Sequence, residues 1–305
     1  MNLTKHEPQI WPPLLTPFNT VGDIDFEALD RLVDFYINQS VAGLLVTGLS
    51  AEPFTLSAEE RAQVLSRVVS QVDGRVSIAA AIYPESTVIE DWLKCIAEVQ
   101  DAGANTAVIL ASTLVPEEAS DVSLLDKLRT IVDSSYGDLG LYEAPLPYKR
   151  LLSLDAITFA ADSGRFTFLK DTSQSTAIIE ARLKAITDSP LQLFNAEMSS
   201  FRVSMQLGAH GFCGLMANIV PQLLGPVATE GGDAGEELSL LLTIGDTALE
   251  KDYPASAKCL LQEAYGVNLS SFSRRLKRGT DYNQCSGLAA LHQLLVRYDR
   301  LDGSN

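Results

Sequence analysis

Strand-like and helix-like segments alternate along the first two thirds of this chain. Short apolar or β-branched runs, typical of buried strands, are separated by stretches whose apolar residues recur at helical spacing. The predicted strands cover residues 10–16, 42–47, 76–82, 107–110, 139–142, 166–170, 191–194 and 211–214. Eight strands that alternate with helices predict an α/β fold, a (β/α)8 TIM barrel. A doubly wound open sheet is the alternative, because alternation alone does not show closure.

The strand signals stop after Pro221, and helical patterns follow over residues 238–249, 255–265 and 286–298. We therefore expect a barrel that carries the active site over residues 1–221. Residues 222–305 should form a C-terminal helical extension. Within the barrel, two capping boxes are expected to begin helices, one at Ser57 with Glu60 and one at Thr87 with Glu90.

Charge and composition exclude several classes of function. The net charge of −16 disfavours nucleic acids and acidic membrane surfaces as partners, and it means that a substrate carboxylate needs local donors. The four cysteines are scattered and the three histidines lack metal-ligand spacing, so we expect reduced thiols and no metal. No dinucleotide motif follows a strand, so no cofactor is expected. Residues 1–13 contain no apolar signal segment, which predicts a cytoplasmic protein.

A lysine at the end of a predicted buried strand is the main candidate for chemistry. Lys170 ends an apolar run at residues 166–170, where a charged amine is costly to bury. Such a site favours the neutral amine, which attacks carbonyl carbon, so Lys170 is a candidate Schiff-base residue. The alternative is a surface lysine paired with Asp171.

The other strand ends supply groups that suit imine chemistry. In a barrel the active site lies at the carboxyl ends of the strands. Those positions are Thr16, the loop Gly48–Glu52, Tyr83, Ser112–Thr113, Tyr142, Lys170, Asn195–Glu197 and Cys213–Gly214. They offer one lysine, two tyrosines and several hydroxyls but no histidine. The set therefore predicts imine formation, with a phenol moving protons.

Several short motifs then match a known family in order and spacing. They are Thr16-Pro17-Phe18, Gly48-x-Ser50-x-Glu52, Tyr142-x-x-Pro145, Leu169-Lys170-Asp171 and Gly208-x-x-Gly211, followed by Asn218 and Pro221. On these residues the chain resembles the dihydrodipicolinate synthase/N-acetylneuraminate lyase family of class I, Schiff-base-forming aldolases and dehydratases. The resemblance covers nearly the whole chain.

The resemblance implies a role for each candidate residue. Lys170 would form the Schiff base with pyruvate or a related 2-keto acid, and Tyr142 would relay protons. Ser50 and the N–H groups around it, including that of Leu49, would hold the substrate carboxylate. We also expect Thr16 and Cys213, at their strand ends, to bind substrate. The alternatives are a core tyrosine at Tyr142 and a serine that only caps the turn at Ser50, whereas Glu52 is expected to be structural.

The chain departs from the family pattern at three places. Leu49 and Ala51 replace a hydroxyl residue and a glycine in the carboxylate loop. The stretch 111–116 lacks the tyrosine that relatives donate to a neighbouring subunit, and Pro147 stands where the synthases have a carboxylate-binding arginine.

Three functions follow from the retained and missing residues. The first is a lyase that cleaves, condenses or dehydrates a 2-keto acid, with the missing tyrosine relay favouring the dehydratases of deoxy keto sugar acids. The second is a true dihydrodipicolinate synthase with a rebuilt second-substrate site. The third is a non-catalytic barrel that binds keto acids.

The resemblance also implies a homo-oligomer, a dimer of dimers. In the family the tight dimer contact lies at the stretch 111–116, which is weakly polar for a strand end. We therefore expect Leu114 to lie at the subunit contact.

Overall fold

The computed structural model describes residues 7–230 and 232–302. In these residues eight parallel strands form one sheet with the order β1-β8-β7-β6-β5-β4-β3-β2. The strands are β1 (Gln9–Ile10), β2 (Gly43–Val46), β3 (Ser77–Ala81), β4 (Thr106–Leu110), β5 (Asp138–Tyr142), β6 (Phe166–Asp171), β7 (Gln192–Asn195) and β8 (Gly211–Phe212).

The two ends of this sheet meet just after β1. The Leu14 N–H donates to the Leu45 carbonyl at 2.9 Å, and the Leu45 N–H donates to the Pro12 carbonyl at 3.0 Å. A parallel bridge between Pro13 and Leu45 joins the chain after β1 to β2. The sheet is therefore a closed barrel, which confirms the predicted (β/α)8 fold and excludes the open sheet.

Helices follow the strands on the outside of the barrel and continue into the extension. They are α1 (Phe26–Asn38), α2 (Ala58–Val72), α3 (Ile89–Asp101), α4 (Ala111–Leu114), α5 (Asp121–Ser134), α6 (Leu154–Asp162), α7 (Thr176–Ala185), α8 (Met198–Gln206), α9 (Pro221–Thr229), α10 (Gly232–Glu250), α11 (Ala255–Tyr265) and α12 (Ser286–Asp302). Helix α9 begins at Pro221, one residue before the predicted start of the extension. The division at residues 221/222 stays a prediction.

One of the two predicted capping boxes forms. Ser57 and Glu60 exchange side-chain and backbone hydrogen bonds at the start of α2. The box at Thr87 and Glu90 is wrong, because Val88 precedes α3 without a side-chain cap. The nearby Ser86 Oγ accepts the Val88 N–H at 3.0 Å instead.

The barrel interior is filled by an aromatic cluster below the active-site end. The Phe168 ring stacks on Phe194 at 4.7 Å and meets Trp11 edge-on at 5.2 Å between centroids. Tyr142 and Cys213 belong to the same buried cluster. This apolar filling separates the carboxyl ends of the strands from the other end of the barrel.

The stretch 111–116 is part of the chain's own core. Ala111 and Leu114 are fully buried and pack against the main hydrophobic cluster, and the Ser112 hydroxyl donates to the Leu146 carbonyl at 3.0 Å. Helix α4 turns these side chains inward. The placement of Leu114 at a subunit contact is therefore wrong, and the oligomeric state stays a prediction.

Within the described residues, no helix combines the length and the apolar character that crossing a membrane requires.

A fully buried ion pair fastens the extension to the barrel. Lys258 on α11 donates to a Glu52 carboxylate oxygen at 2.9 Å, and neither side chain is exposed to solvent. Glu52 also accepts the Ser273 hydroxyl at 2.7 Å and the Arg275 N–H at 2.8 Å. The structural role expected of Glu52 agrees with these contacts, since every donor comes from the extension.

We predict that Lys258→Met destabilises the fold by about 3 kcal/mol, because it leaves the Glu52 carboxylate buried without its cation. Urea unfolding followed by circular dichroism measures the free energy. Lys184→Met is the matched control, because Lys184 forms an exposed pair with Glu180. Equal unfolding midpoints for the two variants would contradict the prediction.

Candidate active site

Lys170 and Tyr142 lie side by side at neighbouring strand ends. They are register partners of the β5–β6 pair, and the Lys170 Nζ lies 4.6 Å from the centre of the Tyr142 ring. Lys170 is 5% exposed and Tyr142 is 4% exposed. Lys170 is therefore not the surface lysine of the alternative interpretation, and Asp171 pairs with Arg182 instead.

Burial and two neighbouring side chains act in opposite directions on the pKa of Lys170. Burial lowers the pKa of Lys170, but Cys213 and Tyr142 outweigh this effect, so the pKa stands above its ordinary value. Burial also raises the pKa of Tyr142 and of Cys213, although Lys170 opposes both shifts. A proton must leave Lys170 before the amine can attack a carbonyl.

A buried ion cluster lies directly behind this pair. The Arg182 guanidinium on α7 pairs with Glu143, which follows Tyr142, and with Asp171, which follows Lys170. Glu143 also accepts the N–H groups of Thr172 at 3.1 Å and Leu152 at 2.6 Å. The cluster ties the ends of β5 and β6 together, so it fixes the approach of Lys170 to Tyr142.

The loop after β2 forms a short 3₁₀ turn, Leu49–Ala51. Its closing hydrogen bonds come from the N–H groups of Ala51 and Glu52, so those of Leu49 and Ser50 have no partner within the turn. The side chain of Ser50 is buried, and Glu52 ends the turn in the left-handed region at φ 59°. This geometry offers two N–H groups and one hydroxyl to an anion.

The Ser50 hydroxyl is connected to the extension. The Tyr253 hydroxyl donates to the Ser50 Oγ at 2.7 Å and accepts the Asn218 amide N–H at 2.8 Å. The Tyr36 hydroxyl donates to the Asn218 Oδ1 at 2.8 Å. Burial raises the pKa of Tyr253 well above its usual range, and Tyr142 adds a smaller effect in the same direction.

The remaining predicted substrate residues are buried at their strand ends. Cys213 follows β8, and its thiol interacts with the Lys170 ammonium. Thr16 is fully buried, and its hydroxyl oxygen has no hydrogen-bond partner. Leu49 is half-buried in the turn beside Ser50. The structure thus brings Cys213 close to Lys170 and Tyr142. The substrate-binding roles of Thr16, Leu49 and Cys213 stay predictions.

Acidic groups surround the outer part of the site. Glu197 interacts with the charges of Lys170 and Tyr142, and it also interacts with Asp246 on α10. Burial, followed by the charges of Glu197 and Glu250, raises the pKa of Asp246 to about 7. One carboxyl oxygen of Asp246 is buried without a hydrogen-bond partner.

The basic residues near Pro147 form hydrogen bonds with other parts of the chain. The Lys149 amine donates to the Thr172 carbonyl at 2.8 Å. The Arg150 guanidinium donates to the Ala119 carbonyl at 2.9 Å and to Asp121 at 2.8 Å. Both cations thus have hydrogen-bond partners within the chain.

Sequence reasoning missed Tyr253, Asp246 and Arg182 as site residues. None of the three comes directly after a strand. Asp246 and Tyr253 belong to the extension, more than 75 positions after Lys170. The Glu143 carboxylate was a signal for Arg182, because a charge next to a buried strand end requires a partner. Among the residues that the structure describes, no group of three or more His, Cys, Asp or Glu side chains could hold a metal ion.

Comparison with known proteins adds an independent observation. The chain matches the Dihydrodipicolinate synthetase family over residues 7–264. It belongs to this family.

Individual members of the family carry different activities. The chain is 32% identical over 212 residues to the N-acetylneuraminate lyase of Citrobacter koseri, with 69% of each chain covered. It is 27% identical over 208 residues to the 4-hydroxy-tetrahydrodipicolinate synthase of Staphylococcus carnosus, which covers 68% of this chain and 69% of the relative. The family is thus one of class I aldolases and lyases, and membership does not fix the substrate.

Solved structures share the fold. The chloride-inhibited dihydrodipicolinate synthase of Acinetobacter baumannii, complexed with pyruvate, superimposes with a TM-score of 0.81 at 20% identity. The superposition covers 93% of this chain and 97% of the other. At this identity the likeness supports the barrel and its helical extension.

The raised pKa of Asp246 predicts a pH-dependent loss of stability. Between the ordinary value of 3.8 and about 7, the folded protein retains a proton that the unfolded chain has released, so stability falls as pH rises through this window. Asp246→Asn imitates the protonated acid and removes this loss, which we expect to be roughly 2 kcal/mol between pH 5 and pH 8. Urea unfolding at the two pH values measures it.

Asp188→Asn, at an exposed position, is the control and should keep the pH dependence of the unmodified protein. If Asp246→Asn shows the same pH dependence of stability as the unmodified protein, the carboxyl of Asp246 does not titrate between pH 5 and pH 8.

Proposed function

We propose that this protein is a Schiff-base-forming lyase that acts on pyruvate or a related 2-keto acid. The observation that carries the proposal is the buried contact between Lys170 and Tyr142 at paired strand ends. A binding protein has no need of a buried amine beside a phenol, so this contact favours an enzyme over a non-catalytic barrel.

The reaction begins with the neutral form of the Lys170 amine. The free amine adds to the keto carbon, and the resulting carbinolamine loses water to give the iminium ion. Tyr142 adjoins the Lys170 amine and is proposed to move the protons. Its hydroxyl donates a proton to the former keto oxygen, and the phenolate left behind takes a proton from the Lys170 nitrogen. The iminium then accepts the electron pair that cleavage or elimination releases.

The turn at residues 49–51 is proposed to hold the substrate carboxylate. The N–H groups of Leu49 and Ser50 and the Ser50 hydroxyl are local donors, which a protein of net charge −16 requires in order to retain an anion. Thr16 and Cys213 are proposed to line the same pocket.

The outer part of the site favours a substrate that bears hydroxyl groups there. Glu197 and Asp246 accept hydrogen bonds from hydroxyls, and they would repel a second carboxylate. Lys149 and Arg150 are occupied by other partners. These contacts support aldol cleavage, condensation or dehydration of a hydroxylated keto acid, and they weigh against a dihydrodipicolinate synthase with a rebuilt second-substrate site.

The family relationship supports two further proposals about the protein in the cell. We propose a homo-oligomer built as a dimer of dimers, and a cytoplasmic location. The residues proposed for the chemistry all belong to one chain.

Reduction with borohydride in the presence of pyruvate tests the proposed function. We predict that mass spectrometry finds one adduct, on the peptide that contains Lys170. Lys149→Ala is the matched control, because Lys149 lies nearby but donates to a carbonyl, and it should be labelled normally. Lys170→Ala should not be labelled. The proposed function would be refuted if Lys170→Ala were labelled as strongly as the unmodified protein, or if the unmodified protein were not labelled.

Replacing the phenol tests proton transfer separately. We predict that Tyr142→Phe folds normally and lowers turnover by about 10²–10⁴-fold, the range for loss of an acid–base group. Release of pyruvate from a panel of hydroxylated 2-keto acids measures turnover. Tyr136→Phe, which removes an exposed hydroxyl, is the control. Unchanged turnover in Tyr142→Phe would make Tyr142 an ordinary core residue.

A further inference from the structure

The hydrogen bonds that lead to Ser50 have a fixed direction. The Asn218 Nδ2 lies 3.0 Å from the Pro13 carbonyl, which can only accept, so the amide nitrogen must face it. The same nitrogen has a second hydrogen, which it donates to the Tyr253 hydroxyl at 2.8 Å. The Asn218 Oδ1 then accepts from Tyr36. These neighbours therefore fix the orientation of the Asn218 amide.

The direction continues through Tyr253. Its oxygen already accepts a hydrogen bond from Asn218, and the structure gives its own hydrogen one acceptor, the Ser50 Oγ at 2.7 Å. Burial raises the pKa of Tyr253, so the phenol keeps this hydrogen throughout the working pH range. Ser50 therefore accepts from Tyr253, and the hydrogen of its own hydroxyl is directed elsewhere.

We infer that Tyr253 is a positioning residue that makes Ser50 a hydrogen-bond donor to the carboxylate of the substrate. A carboxylate only accepts hydrogen bonds, so a serine whose hydrogen was donated to Tyr253 would present a lone pair and repel it. Leu49 has no hydroxyl, so Ser50 is the one hydroxyl donor of this turn and its orientation decides whether the carboxylate receives that hydrogen bond. The inference rests on the proposed function, because it assumes that the substrate is a 2-keto acid.

The test compares pyruvate with its uncharged methyl ester. Both are trapped on Lys170 with cyanoborohydride, and the ligand concentration that gives half-maximal labelling is measured by mass spectrometry. We expect Tyr253→Phe to weaken labelling by pyruvate about tenfold, as for loss of a hydrogen bond that supports a charged acceptor. Labelling by methyl pyruvate should change little, because the ester lacks the negative charge.

Two further variants complete the design. Ser50→Ala removes the donor, so it should weaken labelling by pyruvate relative to methyl pyruvate, as Tyr253→Phe does. The double variant Ser50→Ala/Tyr253→Phe should label no more weakly than Ser50→Ala alone. Tyr265→Phe is the matched control, because Tyr265 also lies in the extension but its hydroxyl accepts from Gln222. It should keep the preference of the unmodified protein.

Each outcome decides one question. If Tyr253→Phe weakens both ligands equally, Tyr253 only supports the fold and the inference is wrong. If Ser50→Ala keeps the preference for pyruvate, Ser50 is not the donor and the inference is wrong even where Tyr253→Phe unfolds. If pyruvate does not label Lys170 in the unmodified protein, the proposed function itself fails.

Discussion

The guanidinium of Arg182 holds together the two strand ends on which the site depends. Glu143 and Asp171 are fully buried, and each is the chain neighbour of a reactive side chain. Without the cation, two carboxylates would remain in a low-dielectric interior at a cost of several kcal/mol. The pairing therefore constrains β5 and β6 at the point where Tyr142 meets Lys170. The ion cluster therefore fixes the relative position of Tyr142 and Lys170, although it takes no part in the chemistry.

A second buried cluster holds the carboxylate turn, residues 49–51, in place. Glu52 ends that turn and is bound by Lys258, Ser273 and Arg275, all from the extension. Tyr253 reaches Ser50 from the same part of the chain. The barrel thus supplies the amine and the phenol, while the extension supports the groups that would hold the carboxylate. The helices after residue 221 belong to the site as much as the strands do.

The sequence predicted the parts of the site that follow from strand periodicity. A buried strand that ends in Lys170 and another that ends in Tyr142 are visible in the order of apolar residues, and barrel geometry places both at one end. Closure of the barrel was not visible, because it depends on backbone hydrogen bonds near Pro13. Tyr253, Asp246 and Arg182 were missed because each lies on or beside a helix, and tertiary packing alone brings it to the strand ends.

Three expectations failed for local reasons. Burial lowers the pKa of Lys170, but Cys213 and Tyr142 raise it above its ordinary value. Ser86 displaced the capping box predicted at Thr87, and Leu114 turned into the core of its own chain rather than toward a partner. In each case a neighbour that the linear pattern does not reveal determined the outcome.

A crystal structure of the protein after reduction with pyruvate would test the account most directly. The account predicts continuous density from the Lys170 Nζ to the former keto carbon, with the substrate carboxylate in contact with the Ser50 hydroxyl and the Leu49 and Ser50 N–H groups. The Tyr142 hydroxyl should face the reduced carbon–nitrogen bond. Pyruvate bound without a covalent link, or linked to Lys170 with its carboxylate directed away from Ser50, would contradict it.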